Sequence, residues 1–346
     1  MQSKKRVSIA DIARQLNISV TTVSFILNGK AKEMRISDAL TKKVEDLVQQ
    51  TNYQPNVLAK SFRTGKTNTI GLLVEDISNP FFAHIARQIE DNAYQRGYKI
   101  IYGSTEDNLE KTRELITMFA DRHVDGYIIT APEGIDNEVK DLLEMKKPVI
   151  LFDRYYPGLE TNYIGVDNYK GTYDGIVHLI ENGYKNIVLV TTTSQQSQMT
   201  ERQAGYHMAL DQYGLESYTH KIAYVDKQSA VVKKQIADFM SAQPQTDAVF
   251  FATNYLLACG LEVFKQIGLK VGEDVAVVSF DDHEFFGLFT PSITAVAQPV
   301  QDIAHQAINL LLNELQPTGA PSQKKFIQLP AHLVVRESSA AKRRGA

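Results

Sequence analysis

Thr69-Ile70-Gly71-Leu72-Leu73-Val74 is a short, continuous apolar run. Phe82 to Arg96 follows with apolar residues at helical spacing and is stopped by Gly97. A buried strand followed by an amphipathic helix is one half-turn of a parallel α/β sheet. The pattern repeats. Lys99–Tyr102, Gly126–Ile129 and Pro148–Phe152 read as strands, with helices over Leu109–Arg122 and Val139–Met145. After Asn168 it starts again. Asn186–Val190, Lys221–Val225, Ala248–Ala252 and Val275–Phe280 are strands, separated by helices over Gly171–Glu181, Arg202–Gln212, Ala230–Met240 and Tyr255–Ile267. A helix over Val300–Leu315 and two strand-like pieces, Lys325–Leu329 and Leu333–Val335, close the chain. The reading is two doubly wound parallel-sheet subdomains with a cleft between them, where ligands sit beyond the carboxyl ends of the strands.

Upstream of Thr69 the texture differs. Ser8 with Asp11 three residues on is a capping-box signal, and Ile9, Ile12, Ala13 and Leu16 follow at helical spacing. Asn17-Ile18-Ser19 breaks that helix. A second runs from Val20 to Leu27, with Val23 and Leu27 as its core side, and stops at Asn28-Gly29. Ser37 caps a third helix carrying Leu40, Val44 and Leu47. Helix, tight turn, helix, loop, helix is the helix-turn-helix plan, here a small all-α headpiece. Tyr53 to Thr67 then contains one short helix between Pro55 and Gly65, too short to be stable alone in water.

Charge divides the chain at the same place. Residues 1–66 hold twelve Lys and Arg against five Asp and Glu; the remaining 280 hold 25 against 35. A basic head on an acidic body points to a polyanionic partner for the head alone. The 346 residues, 43% hydrophobic, allow two or three domains with sizeable cores. A single cysteine, Cys259, excludes an intrachain disulfide and a cysteine-cluster metal site. No apolar run is long enough to span a bilayer, and no apolar stretch follows the basic start as in a signal peptide, so a cytoplasmic protein is expected.

Enzyme signatures are missing. The Gly65-Lys66-Thr67 ending lacks the glycine that a phosphate loop needs at position 60. The eight histidines show no zinc-site spacing, and no G-x-S-x-G elbow occurs. Asp281-Asp282 is a weak acid/base pair, because neighbouring strand residues face opposite ways. No metal, cofactor or catalytic residue is expected.

In order along the chain stand Val7-Ser8-Ile9-Ala10-Asp11-Ile12-Ala13, Ile18-Ser19-Val20-Thr21-Thr22-Val23-Ser24, Leu27-Asn28, Tyr53-Gln54-Pro55-Asn56, Asn79-Pro80-Phe81-Phe82, Val124-Asp125-Gly126, Val166-Asp167-Asn168, Ser279-Phe280-Asp281-Asp282, Thr290-Pro291 and Leu333-Val334-Val335-Arg336-Glu337-Ser338. In this succession the motifs resemble the LacI/GalR family of bacterial repressors. The resemblance spans nearly the whole chain. It implies a headpiece over 1–52, a hinge helix or linker over 53–67, and a sensor of the type I periplasmic-binding-protein fold. The sensor would divide into 68–166 with 294–325 and 167–293 with 326–346, the chain crossing near Val166, Ile293 and Lys325. It also implies a homodimer on near-palindromic double-stranded operator DNA, with a small effector in the cleft changing operator affinity. Induction by a sugar is the expected sign, and a purine-type corepressor is the alternative.

By position, the resemblance makes Val20, Thr21 and Phe25 base-reading residues, with Thr22, Ser24 and Asn28 at phosphates or within the headpiece. Phe25 cannot make a bidentate contact to guanine; it packs either on a thymine methyl or against a neighbouring helix. Asn56, Ala59 and Phe62 fall in the hinge, where Phe62 is either a minor-groove wedge or a contact to the sensor. Lys4, Lys5, Arg6, Arg35, Lys60 and Arg63 would attract phosphates. The effector contacts map onto Phe81, Phe82, Asp153, Arg202, Asn254 and Asp281, all but Arg202 beyond the carboxyl end of a strand. Asp153 has an ion pair with Arg154 as its other reading, and Asp281 a structural turn. Rings beside carboxylates and a guanidinium suit a neutral mono- or disaccharide. Tyr255 stands where the family usually has an aspartate. A plain sugar-binding protein and a sugar-acting enzyme are the other classes; the basic headpiece and the missing catalytic motifs stand against them.

Overall fold

The computed structural model describes residues 7–53, 65–223, 230–316 and 323–342. The chain forms two compact units, residues 1–67 and 68–346.

In the first unit, α1 (Ile9–Gln15), α2 (Val20–Leu27) and α3 (Asp38–Thr51) each begin at a serine whose hydroxyl accepts a backbone N–H. Ser8 and Asp11 close the full reciprocal capping box, which satisfies donors that a short helix otherwise leaves open. Ile12, Ala13, Val23, Ile26, Val44 and Leu47 form the core. The buried pair on α2 is therefore Val23 and Ile26, with Leu27 only partly covered. The three-residue step keeps both side chains on the face that α1 and α3 cover.

The second unit holds two six-stranded sheets built on the same winding. The strands of the first are β1 (Thr69–Val74), β2 (Lys99–Ser104), β3 (Gly126–Ile129), β4 (Val149–Phe152), β5 (Asn162–Val166) and β11 (Phe326–Leu329), all parallel, in the order β11-β5-β4-β3-β1-β2. The second comprises β6 (Ile187–Thr192), β7 (Tyr218–Ile222), β8 (Ala248–Phe251), β9 (Ala276–Phe280), β10 (Thr294–Ala297) and β12 (His332–Val334), in the order β12-β10-β9-β8-β6-β7. Only β12 runs antiparallel. The central strands are apolar on both faces because helices cover both.

The crossings differ from expectation. Thr294 pairs with Val278, so β10 extends the second sheet and the chain crosses after Ala297, not near Ile293. Phe326 pairs with Tyr163, so β11 extends the first sheet and the crossing follows Leu329, not Lys325. Each strand stays with the sheet whose open edge it completes. β5 and β10, which open on polar Asn162 and Thr294, escape the sequence reading. β7 begins at Tyr218, three residues before the expected start, because it pairs in register from Val188↔Tyr218.

Helix Ser197–Gln212 lies against helix Asn168–Glu181 at Gly205, where an added Cβ would stand 2.2 Å from the Tyr169 carbonyl oxygen. Only glycine permits that approach, and it sets the position of Arg202 one turn earlier.

Candidate functional site

Five of the six expected effector residues converge at one place. Phe81, Phe82, Asp153, Arg202 and Asp281 line a narrow cleft, partly open to solvent, with a cavity volume of about 50 Å³. Asn79 caps helix Pro80–Gln95, accepting the Phe81 N–H at 3.1 Å, and Pro80 supplies the helical φ of the first turn. The Phe81 and Phe82 rings meet edge to face at 5.0 Å. Asn254 does not line the cavity. Its amide donates to Asn79 Oδ1 at 3.1 Å, joining the two subdomains.

Asp153 follows β4 and Asp281 follows β9, both almost buried and both in the left-handed region, with φ 69° and 70°. Burial pushes Asp153 up to about 6, against the pull of Arg154 and Arg202 and with the help of Glu75 and Asp281. Burial also raises Asp281, opposed by Arg202 and by the Gln298 amide, which donates to it at 2.6 Å. The ion pair of Asp153 with Arg154 is a long one, Nε to Oδ2 at 3.5 Å.

Arg202 does not open its helix, which starts five residues earlier at Ser197 with no side-chain cap to mark it. Its Nε donates to Asn168 Oδ1 at 2.9 Å and its Nη1 to the Ala252 carbonyl at 2.7 Å. The guanidinium lies 3.6 Å over the Phe280 ring, with Nη1 4.0 Å from Asp281.

Several residues at the cleft were not among the expected effector contacts. Arg154, 1% exposed, donates to Glu75 and, at 2.7 Å, to Asp107. Burial pulls its pKa down, and Glu75, Asp153 and Asp107 more than reverse this, leaving it above the ordinary value. Gln196 of the second subdomain donates to both oxygens of Asp107 at 2.9 Å, and Tyr155 donates to Ser197 and Glu201 across the same gap. Glu75 directly follows β1, the same strand-end position that marks Asp153 and Asp281. Asp107, Gln196 and Gln198 belong to loops or a helix start with no such signal.

In the headpiece, Val20 and Thr21 are exposed at the start of α2. The Thr22 hydroxyl lies 2.8 Å from that of Ser19, and the Asn28 amide donates to the Ser24 carbonyl at 2.6 Å. Thr22, Ser24 and Asn28 thus have partners within their own helix ends. Phe25 is half-buried and is not among the side chains packed on the headpiece core. Asn56, Ala59 and Phe62, with Lys4, Lys5, Arg6, Lys60 and Arg63, lie outside the described residues.

Residues 8–56 match the family of bacterial regulatory proteins named lacI, and residues 176–339 match a periplasmic binding protein-like domain. The chain is 30% identical over 338 residues to the NTD biosynthesis operon regulator NtdR of Bacillus subtilis, covering 96% of this chain and 99% of that one. The chain belongs to the LacI family. As a LacI-family protein it is a DNA-binding transcriptional regulator. It is also 28% identical over 333 residues to the HTH-type transcriptional repressor PurR of Photobacterium profundum, covering 96% and 98% of the two chains. A lac repressor dimer bound to operator and the anti-inducer ONPF shares the fold, with TM-score 0.84 and 22% identity over 97% of this chain and 100% of that one. Among the described residues of this LacI-family chain, no helix is long and apolar enough to cross a membrane.

Proposed function

We propose that this regulator is a repressor whose operator affinity is lowered by a sugar bound between its sensor subdomains. The observation that carries the reading is the cleft: two aromatic rings beside buried carboxylates and a guanidinium, at strand ends of both sheets. Hydroxyls donate to the carboxylates, and an apolar sugar face lies on a ring. A sugar phosphate would add negative charge to a lining that already carries an excess of carboxylates. Hydrogen bonds of Asn254 to Asn79 and of Gln196 to Asp107 bridge the subdomains beside it, so a ligand there changes their relation.

The regulator acts as a homodimer on a near-palindromic operator, with α2, led by the exposed Val20 and Thr21 and the half-buried Phe25, in the major groove. On the sensor, Phe285, Leu288 and Phe289 are exposed by 56%, 78% and 47%, beside a groove lined by Leu261, Val271, Pro291 and Ile293. An apolar patch of that kind on the sensor suits a second copy of the chain.

Calorimetry on the full-length protein against neutral sugars, sugar phosphates and purines, with operator binding measured in parallel, tests the reading. Heat from a sugar, with operator affinity reduced by the same factor as operator reduces sugar affinity, is the expected result. Heat only from purines or phosphates removes the sugar, and tighter operator binding with ligand makes it a corepressor.

A further inference from the structure

The cleft carries more negative charge than its own residues answer. Glu75, Asp107, Asp153 and Asp281 are its carboxylates; Arg154 and Arg202 are the guanidiniums against them among the described residues. Arg154 is committed to Glu75 and Asp107, and reaches Asp153 only at 3.5 Å. Two donors of Arg202 are spent on Asn168 and the Ala252 carbonyl, and its nearest approach to Asp281 is 4.0 Å. Asp281 is held by neutral donors such as the Gln298 amide at 2.6 Å, and a buried charge without a close opposite charge is costly unless something else supplies one.

A second observation has the same sign. The Asp107 carboxylate is ion-paired with Arg154 and accepts on both oxygens, so Gln196 turns its amide nitrogen toward it. The Gln196 oxygen therefore accepts, and Gln198 donates to it at 3.1 Å. That fixes the other end of Gln198: its Oε1 is an acceptor, buried in the cleft lining and without a hydrogen-bond partner. The orientation of the whole relay follows from one carboxylate, and its end leaves a buried, unpartnered acceptor on a residue of the cleft lining.

Building on the sugar reading, we propose that the effector is a sugar bearing a basic amino group. Its ammonium supplies up to three N–H donors and the missing positive charge to Asp153, Asp281 and Gln198, while its ring lies on Phe81 or Phe82. A divalent metal fits less well, because the arginines stand between the carboxylates and no group of three ligating side chains converges among the described residues.

The test is calorimetry on the full-length protein at pH 7 with matched triplets: glucose, glucosamine and N-acetylglucosamine, and the galactose and mannose equivalents, with magnesium and calcium chloride as separate titrants. At least one amine is expected to bind tenfold or more tighter than its hydroxyl and N-acetyl counterparts. Asp153→Asn is expected to erase that ratio, and Gln198→Met, which leaves every charge in place, to reduce it. Neutral members binding as well as the amines, silence from every amine, or heat from the metal ions alone overturns the proposal. If neutral sugars bind and amines do not, the sugar reading stands without it. If sugar phosphates or purines bind and no sugar does, the sugar reading itself fails.

Discussion

Asp153 and Asp281 hold the same position in the two halves of the sensor. Each follows the fourth strand of its sheet in sequence, adopts left-handed φ, and donates its backbone N–H to the strand that comes next, Asp153 to Ile164 at 3.2 Å and Asp281 to Val296 at 3.0 Å. The two sheets share one winding, so the two ends deliver equivalent carboxylates to opposite walls of one cleft. Asp281 is thus at once a turn residue and a residue of the cleft lining.

The charge on Asp153 opposes folding at neutral pH. Its folded value, about 6, lies above that of an unfolded aspartate. Its stabilising contribution is therefore complete below the unfolded value and lost as pH rises through about 6. Asp153→Asn keeps the shape without the charge. Thermal unfolding of the ligand-free chain is expected to show a midpoint a few degrees higher at pH 7.5, and a smaller gain at pH 5. An equal gain at both values would remove the charge as cause.

Gln196 joins the subdomains through Asp107. Gln196→Ala is expected to cost about 1.5–3 kcal/mol, the range for a hydrogen bond to a charged group. Amide exchange should also quicken around residues 105–108 and 195–199. Unchanged exchange there would show that the clasp does not hold the cleft.

The basic headpiece predicts a steep salt effect. Several phosphate contacts per chain should lower operator affinity tenfold or more between about 50 and 200 mM salt. Binding by fluorescence anisotropy that ignores salt would contradict this.

Phe62→Ala tests the hinge expectation directly. A wedge that opens a base step is used only on the operator, so specific binding should weaken more than non-specific binding. Equal losses would place Phe62 elsewhere.

Leu288→Asp puts a charge into the exposed apolar patch of the sensor. Sedimentation is expected to show the dimer shifted toward monomer, with operator affinity falling alongside. An unchanged dimer would move the interface to another face.

Local chemistry alone determined the caps of α1, α2 and α3, most strands of the two sheets, and the basic headpiece on an acidic sensor. These depend on spacing of a few residues: Ser8 with Asp11, Ser37 before Leu40, or the apolar run at Thr69–Val74. The strand-end rule brought Asp153 and Asp281 to the cleft, since where a strand ends is local too. Tertiary structure alone decided which sheet β10 and β11 join, because pairing lies in partners more than a hundred residues distant for β11 and in the open edge left by β9 for β10. It also decided that Arg154 faces Glu75 and Asp107, across 79 and 47 residues of chain, and that Gln196 closes on Asp107. A buried charge takes its partner from whatever the fold brings within reach, and sequence spacing carries no record of that distance.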